Sequence, residues 1–150
     1  YVAEQAPEKN VVLNDGYCPV HAALTAEDVR RAKRLHPKAK FLVHPECTKE
    51  LLDEADYIGS TSGIIQFVKG DNASEYIIGT ETGVFCELKK QNPDKKFYTL
   101  SQKQVCMDMK FVTLQKVWEV LEHETNEITV TEDMRKRALV PLENMLALAK

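Results

Sequence analysis

Short runs rich in β-branched and aromatic residues alternate along this chain with longer stretches of helical periodicity, and that alternation restricts its fold more than any other feature. Strands separated by helices do not pair as hairpins; they lie parallel, joined by right-handed crossovers. The strand candidates span 10–13, 40–43, 57–58, 75–78 and 97–100. Helix patterns span 25–35, 50–55, 63–69 and 82–91. The first opens on Thr25 with Asp28 three positions on, a capping-box spacing, and closes before Pro37. The expected fold is α/β, a parallel sheet with helices on both faces in a three-layer αβα arrangement.

Beyond this region, Phe111, Leu114, Val117, Trp118 and Leu121 recur at helical spacing, as do Met134, Ala138, Leu142, Met145 and Leu146. These two helices are expected to pack as a layer, with Pro141 kinking or shortening the second. The domain reading is a linker at 1–9, an α/β domain at 10–109 and C-terminal helices at 110–150. Starting on Tyr1 in a polar stretch, the chain reads as a piece of a longer protein.

The 150 residues suffice for one core, and 20 basic against 23 acidic residues leave a net charge of −3. Without a basic excess, neither nucleic acid nor an anionic membrane is an expected partner. No apolar run is long enough to span a bilayer, so the expected location is the cytoplasm. Four cysteines in such a chain read as reduced thiols, some ligating metal, not as disulfides.

The chemistry gathers near strand ends, where α/β proteins keep their sites. Gly16-Tyr17-Cys18-Pro19-Val20-His21 and His44-Pro45-Glu46-Cys47 supply thiols, imidazoles and a carboxylate. By ligand type, Cys18, His21, His44 and Cys47 could form a zinc quartet that stabilises a non-catalytic binding module. Cys47 equally suits the core, and Cys86 fits the apolar face of a helix. His44 and Glu46 follow a strand and share a side, a pair suited to proton exchange or polyol binding; a hydrogen-bonded His in a proline turn explains His44 as well. Ser60-Thr61-Ser62-Gly63 stands between a strand and a helix, either as an anion cradle or as an ordinary N-cap. In the first case the chain could be a metal-free ligand-binding domain. Glu81 is open to a catalytic role, a capping role or a bond to neighbouring backbone. His36 and His123, at helix ends, need no functional account.

Together with Ile78-Gly79-Thr80-Glu81-Thr82-Gly83 and Cys106-Met107-Asp108-Met109-Lys110, these motifs in this order resemble quinolinate synthase, an iron-sulfur enzyme of NAD biosynthesis in bacteria and archaea. The resemblance runs from about Asn10 to the last helix. It implies one of three related α/β domains, the third, with the C-terminal helices. It implies a transferase that condenses iminoaspartate with dihydroxyacetone phosphate to quinolinate at a 4Fe-4S cluster, one iron of which lacks a protein ligand and acts as a Lewis acid. Cys18 and Cys106 match two of the three cluster cysteines; the third belongs to upstream domains that this chain lacks. His44 and Glu46 match catalytic, substrate-contacting positions, and Thr61 matches a carboxylate-binding position flanked by Ser60 and Ser62. The partners implied are those two substrates and the missing N-terminal domains. The piece alone is expected to be inactive and, with its former interface exposed, to self-associate.

Overall fold

The computed structural model of the chain describes residues 1–149, which divide into two compact units with the boundary between Met107 and Asp108. In the first unit the elements are α1 (Val2–Gln5), α2 (Pro19–Ala22), α3 (Ala26–Leu35), β1 (Lys40–Val43), α4 (Lys49–Leu52), β2 (Tyr57–Ile58), α5 (Thr61–Gly70), β3 (Glu75–Gly79), α6 (Val84–Gln91) and β4 (Lys96–Thr99). The four strands pair in parallel in the order β2-β1-β3-β4. Leu42 stands opposite both Tyr57 and Ile78, and Val43 opposite Ile58 and Gly79.

Alternation along the strands distributes the core. Phe41, Val43 and Ile77 cluster with Val29 and Ala32 of α3 and with Leu51 and Leu52 of α4. Leu42, Tyr76 and Ile78 cluster with Ile64 and Val68 of α5 and with Val84 and Leu88 of α6. The sheet is therefore flanked by helices on both faces, the three-layer α/β fold expected. Phe41, Leu42, Val43, Ile77 and Ile78 are fully enclosed, and burying each such side chain contributes about 1.5–3 kcal/mol.

Local chemistry sets the element ends. Thr25 caps α3 in a reciprocal box: its hydroxyl accepts from Asp28 N at 3.2 Å, and Asp28 Oδ2 accepts from Thr25 N at 3.1 Å. Burial opposes ionisation of Asp28, but its bonds from Thr25 and from Arg31 hold the carboxyl below its ordinary value. After α5, Asp71 gathers Lys40 Nζ at 2.5 Å, the Tyr76 hydroxyl at 2.9 Å and Ala73 N at 3.0 Å, tying the loop into β3 to the start of β1. At the carboxyl end of β3, a Cβ on Gly79 would stand 2.9 Å from Phe41 Cε2 and 3.0 Å from Val43 Cγ2, so this position must be bare.

Some expectations fail. Residues 10–13 form no strand: Val12 and Leu13 are 88% and 76% exposed, and β-propensity expresses itself only where a partner strand and a packed face exist. The helix expected at 50–55 ends at Leu52, and the one expected at 82–91 begins at Val84 because Glu81–Gly83 is taken up by a turn. Cys86 is exposed on α6, contrary to the core reading; the buried side chains of that helix are Val84 and Leu88, which are one turn apart. The short helices α1 and α2 lie outside the sequence pattern, being too brief to show periodicity.

α7 (Met107–Lys110) straddles the boundary, and the second unit is built on α8 (Leu114–His123) and α9 (Glu132–Leu148). The Thr113 and Thr131 hydroxyls cap these helices, accepting from Lys116 N and Met134 N at 3.3 Å each. Phe111 lies before α8, and α9 runs on through Pro141 instead of stopping there. The apolar stripes are real but unburied: Trp118 is 54% exposed, Leu121 77% and Leu146 61%, so the expected packed layer does not enclose them. Phe111, Val112, Val117, Val120 and Leu121 line a groove of about 340 Å³ within this unit. Among the described residues no helix is long and apolar enough to cross a membrane.

Candidate functional site

The strand order creates a place for chemistry. From β1 the chain leaves through α4, on one face, toward β2; from β3 it leaves through α6, on the other face, toward β4. Connections that diverge in this way open a crevice beyond the carboxyl ends of β1 and β3, the usual ligand position of an open parallel sheet.

Three segments meet there. After β1, His44–Cys47 forms a turn closed by the Cys47 N–H donating to His44 O at 3.0 Å, while His44 N donates to Gly79 O at 3.2 Å. After β3 come Thr80 and Glu81. The third segment is α2, whose Pro19 starts a helix immediately behind Cys18, so that Cys18 and His21 share one helical turn. His21 is buried, with Nδ1 3.0 Å from Glu46 Oε2 and Nε2 3.0 Å from Thr80 Oγ1. Its ring stacks on that of His44, centroids 4.5 Å apart and planes 7° from parallel.

His44 and Glu46 come together as expected from their spacing, though in a turn and not along an extended strand. The Glu46 N–H donates to His44 Nδ1 at 3.3 Å, which leaves the proton of a neutral His44 on Nε2. Burial lowers the His44 pKa, the neighbouring His21 lowers it further, and Glu46 only partly compensates, so this imidazole favours the neutral state. The Glu46 carboxylate is 55% exposed, open to solvent beside two rings.

The zinc quartet is not assembled. Among the described residues, the ligand group is Cys18, His21 and Glu46, one donor atom of each lying within 4.8 Å of the others. Cys47 instead belongs to the core, its thiol donating to Gly79 O at 3.6 Å; burial, reinforced by the nearby Cys18, pushes its pKa up to about 12. Its packing in the core sets it apart from the Cys18, His21 and Glu46 donors.

Cys106 reaches the same sheet edge through contacts that sequence reasoning missed. Gln104 is fully buried: its amide donates to Ile78 O at 2.7 Å and Thr80 O at 2.5 Å, and its carbonyl accepts from Ser101 N at 2.7 Å. The Ser101-x-x-Gln104 spacing is that of a capping box, and that was the available signal. Glu81 accepts from Gly83 N at 2.6 Å and from Cys106 N at 3.3 Å, so of the roles open to it the structure displays the bond to neighbouring backbone. Cys18 and Cys106 are both half-buried, a setting in which a thiol is shielded yet reachable. Two such soft donors at one edge fit an iron-sulfur cluster by ligand chemistry.

Ser60 caps α5, its hydroxyl accepting from Gly63 N at 3.1 Å, with Thr61 and Ser62 exposed on the first turn. A Cβ on Gly59 would stand 2.6 Å from the Tyr57 ring, which covers the approach to this turn. Gly59 N donates to Val43 O at 3.1 Å, binding the Ser60 segment to the end of β1 beside the His44 turn.

Residues 1–147 match the family described as quinolinate synthetase A protein. The chain belongs to that family. It is 47% identical to the quinolinate synthase of Alkaliphilus metalliredigens over 146 residues, 97% of this chain and 48% of that protein. The quinolinate synthase of Clostridioides difficile is 44% identical over the whole chain and 49% of its own length, and that of Thermodesulfovibrio yellowstonii is 40% identical over 99% of the chain and 49% of its own. The chain thus spans about half the length of the curated relatives it matches.

Proposed function

We propose that this chain is the part of a quinolinate synthase that carries two cluster cysteines, Cys18 and Cys106, and the proton-handling pair His44 and Glu46. The reaction is the condensation of iminoaspartate with dihydroxyacetone phosphate to quinolinate, with loss of water and phosphate, in cytoplasmic NAD biosynthesis. The observation that carries the reading is the convergence of α2, the His44–Cys47 turn and the end of β3 at the sheet's switch point, on residues whose motifs match the family.

The chain's own residues then have distinct tasks. Neutral His44 presents its Nε2 proton to a developing negative charge, and the exposed Glu46 carboxylate accepts a proton from carbon or nitrogen. His21 holds Glu46 in place from the buried side. Thr61, with Ser60 and Ser62 beside it, binds a substrate carboxylate at the N-terminus of α5. Cys18 and Cys106 would hold a 4Fe-4S cluster, with the third cysteine and the rest of the substrate site supplied by the N-terminal domains. When bound, that cluster supplies a Lewis-acidic iron. Alone, the chain is inactive, because a site divided between domains is incomplete in either part.

The test is anaerobic reconstitution of the chain with iron, sulfide and an exogenous thiol, followed by iron and sulfide analysis and visible absorption. A broad charge-transfer band is expected that disappears in Cys18→Ser and in Cys106→Ser and persists in Cys86→Ser. A band retained in Cys18→Ser overturns the assignment.

A further inference from the structure

We infer that the cleft between α3 and the segment following β4 is a binding site for a small phosphorylated molecule, separate from the crevice beyond β1 and β3. It has a volume of about 540 Å³, within the range that holds a small organic ligand. Asp28, Arg31 and His36 line it from the α3 side, and Thr99, Ser101 and Lys103 from the β4 side. None of the residues assigned above to substrate or cluster borders it.

The charges in this cleft are arranged to receive an anion. Its carboxylate is already engaged: Asp28 Oδ1 accepts from Arg31 Nη2 at 2.6 Å, and Oδ2 accepts from the Thr25 backbone N–H at 3.1 Å and from the Thr25 hydroxyl at 2.8 Å. Arg31 commits only that one nitrogen, so Nε and Nη1 keep their donors, and among the described residues the Lys103 ammonium has no acceptor. Arg31 and Lys103 against Asp28 leave the lining positive, within a chain whose net charge is −3. Neutral donors complete it. Ser101 is buried, and its hydroxyl accepts from Lys103 N at 3.3 Å, which leaves its own proton to donate. His36 stacks on Tyr98, centroids 3.4 Å apart and planes 9° from parallel, and so forms a fixed wall between α3 and β4.

A phosphate group matches this set better than a carboxylate does. A phosphomonoester carries nearly two negative charges at neutral pH and three strong acceptor oxygens, so it can take Arg31 and Lys103 together and still accept from Ser101. A carboxylate brings one charge and two oxygens. The volume beyond the phosphate suits a body the size of a sugar. Ser101 and Lys103 directly precede Gln104, whose amide ties the Cys106 turn to β3, so a ligand bridging Arg31 to Lys103 would fasten the same turn to α3.

The probes are ribose 5-phosphate and unphosphorylated ribose, titrated separately into the chain at low ionic strength and followed by backbone amide shifts. Ribose 5-phosphate should give saturable shifts centred on Arg31, Thr99 and Lys103, and slower amide exchange at Lys103; ribose should give neither. Lys103→Ala and Arg31→Gln should each weaken binding by about fivefold or more, the scale of one partly exposed ion pair. Arg34→Gln removes the same charge from an exposed α3 residue outside the cleft and should leave binding unchanged. Lys103 is exposed and its ammonium has no partner to lose, so its variant keeps the fold and the question decidable. The inference is overturned if ribose 5-phosphate gives no saturable shifts, if ribose matches it, if affinity survives Lys103→Ala and Arg31→Gln, or if Arg34→Gln weakens binding as much as they do.

Discussion

His21 Nδ1 lies 3.0 Å from Glu46 Oε2 although 25 residues separate the two, and the same ring reaches Thr80 Oγ1 at 3.0 Å with its other nitrogen. One imidazole thereby ties α2 to the ends of two neighbouring strands.

Replacing that imidazole strands the buried Thr80 hydroxyl. His21→Leu should destabilise the first unit by about 1–3 kcal/mol, the cost of leaving one buried polar group without a partner. Adding Thr80→Val should recover part of the loss, because both partners are then apolar. Urea midpoints of the two single variants and the double variant measure the coupling, and strictly additive losses would show that the contact contributes nothing.

Gln104 satisfies two strand carbonyls and one turn amide from a fully buried position. Gln104→Leu should cost about 1–3 kcal/mol for each group it orphans, and the effect should concentrate on the turn that carries Cys106. Hydrogen exchange at Ser101 N should accelerate by more than exchange at β1 amides. Uniform acceleration would instead mean a global loss of stability without a local tether.

Asp71 provides a pH-dependent brace. The Lys40 bond, with those from Ala73 N and the Tyr76 hydroxyl, outweighs burial and holds its carboxyl at about 2, below the ordinary 3.8. The folded state therefore binds this proton less readily than the unfolded state, so the stabilisation is complete above 3.8 and fades as pH falls toward 2. Asp71→Asn should lower stability at pH 6 and flatten the acid-side decline over that window, the two curves converging at the lowest pH. Parallel curves across the window would refute the role.

The thiols should differ sharply in reactivity. Cys86 is exposed, whereas Cys47 is buried with its thiol pushed up to about 12. Alkylation by iodoacetamide near neutral pH, read by peptide mass spectrometry, should mark Cys86 first and Cys47 last. Equal rates at the two positions would contradict the packing of Cys47.

Much of the fold is legible in local chemistry. The bounds of β1 and β2 coincide with those expected, and β3 is one residue longer, because β-branched and aromatic runs flanked by polar turns have few other conformations available. Thr25 and Asp28 announce the start of α3 through a pattern confined to four residues. The segment 10–13 has the same composition and no strand, because a strand needs a neighbour, and composition does not reveal whether one is there. Cys86 and Cys47 show the same limit: a free cysteine is small enough to suit either the core or the surface, and only the packing of Val84 and Leu88 turns Cys86 outward.

The sequence by itself determined the alternating α/β order, the helix caps and the residue types that carry chemistry, since these follow from side-chain periodicity and bonds between near neighbours. Tertiary structure alone decided that His21 would meet Glu46 and Thr80, that Glu46 and not His44 or Cys47 would complete the donor group with Cys18 and His21, and that Gln104 would hold the Cys106 turn against β3. Those partners lie 25 to 59 residues apart along the chain. They are joined only when the crossovers place β1 beside β3 and bury polar groups that must then satisfy one another.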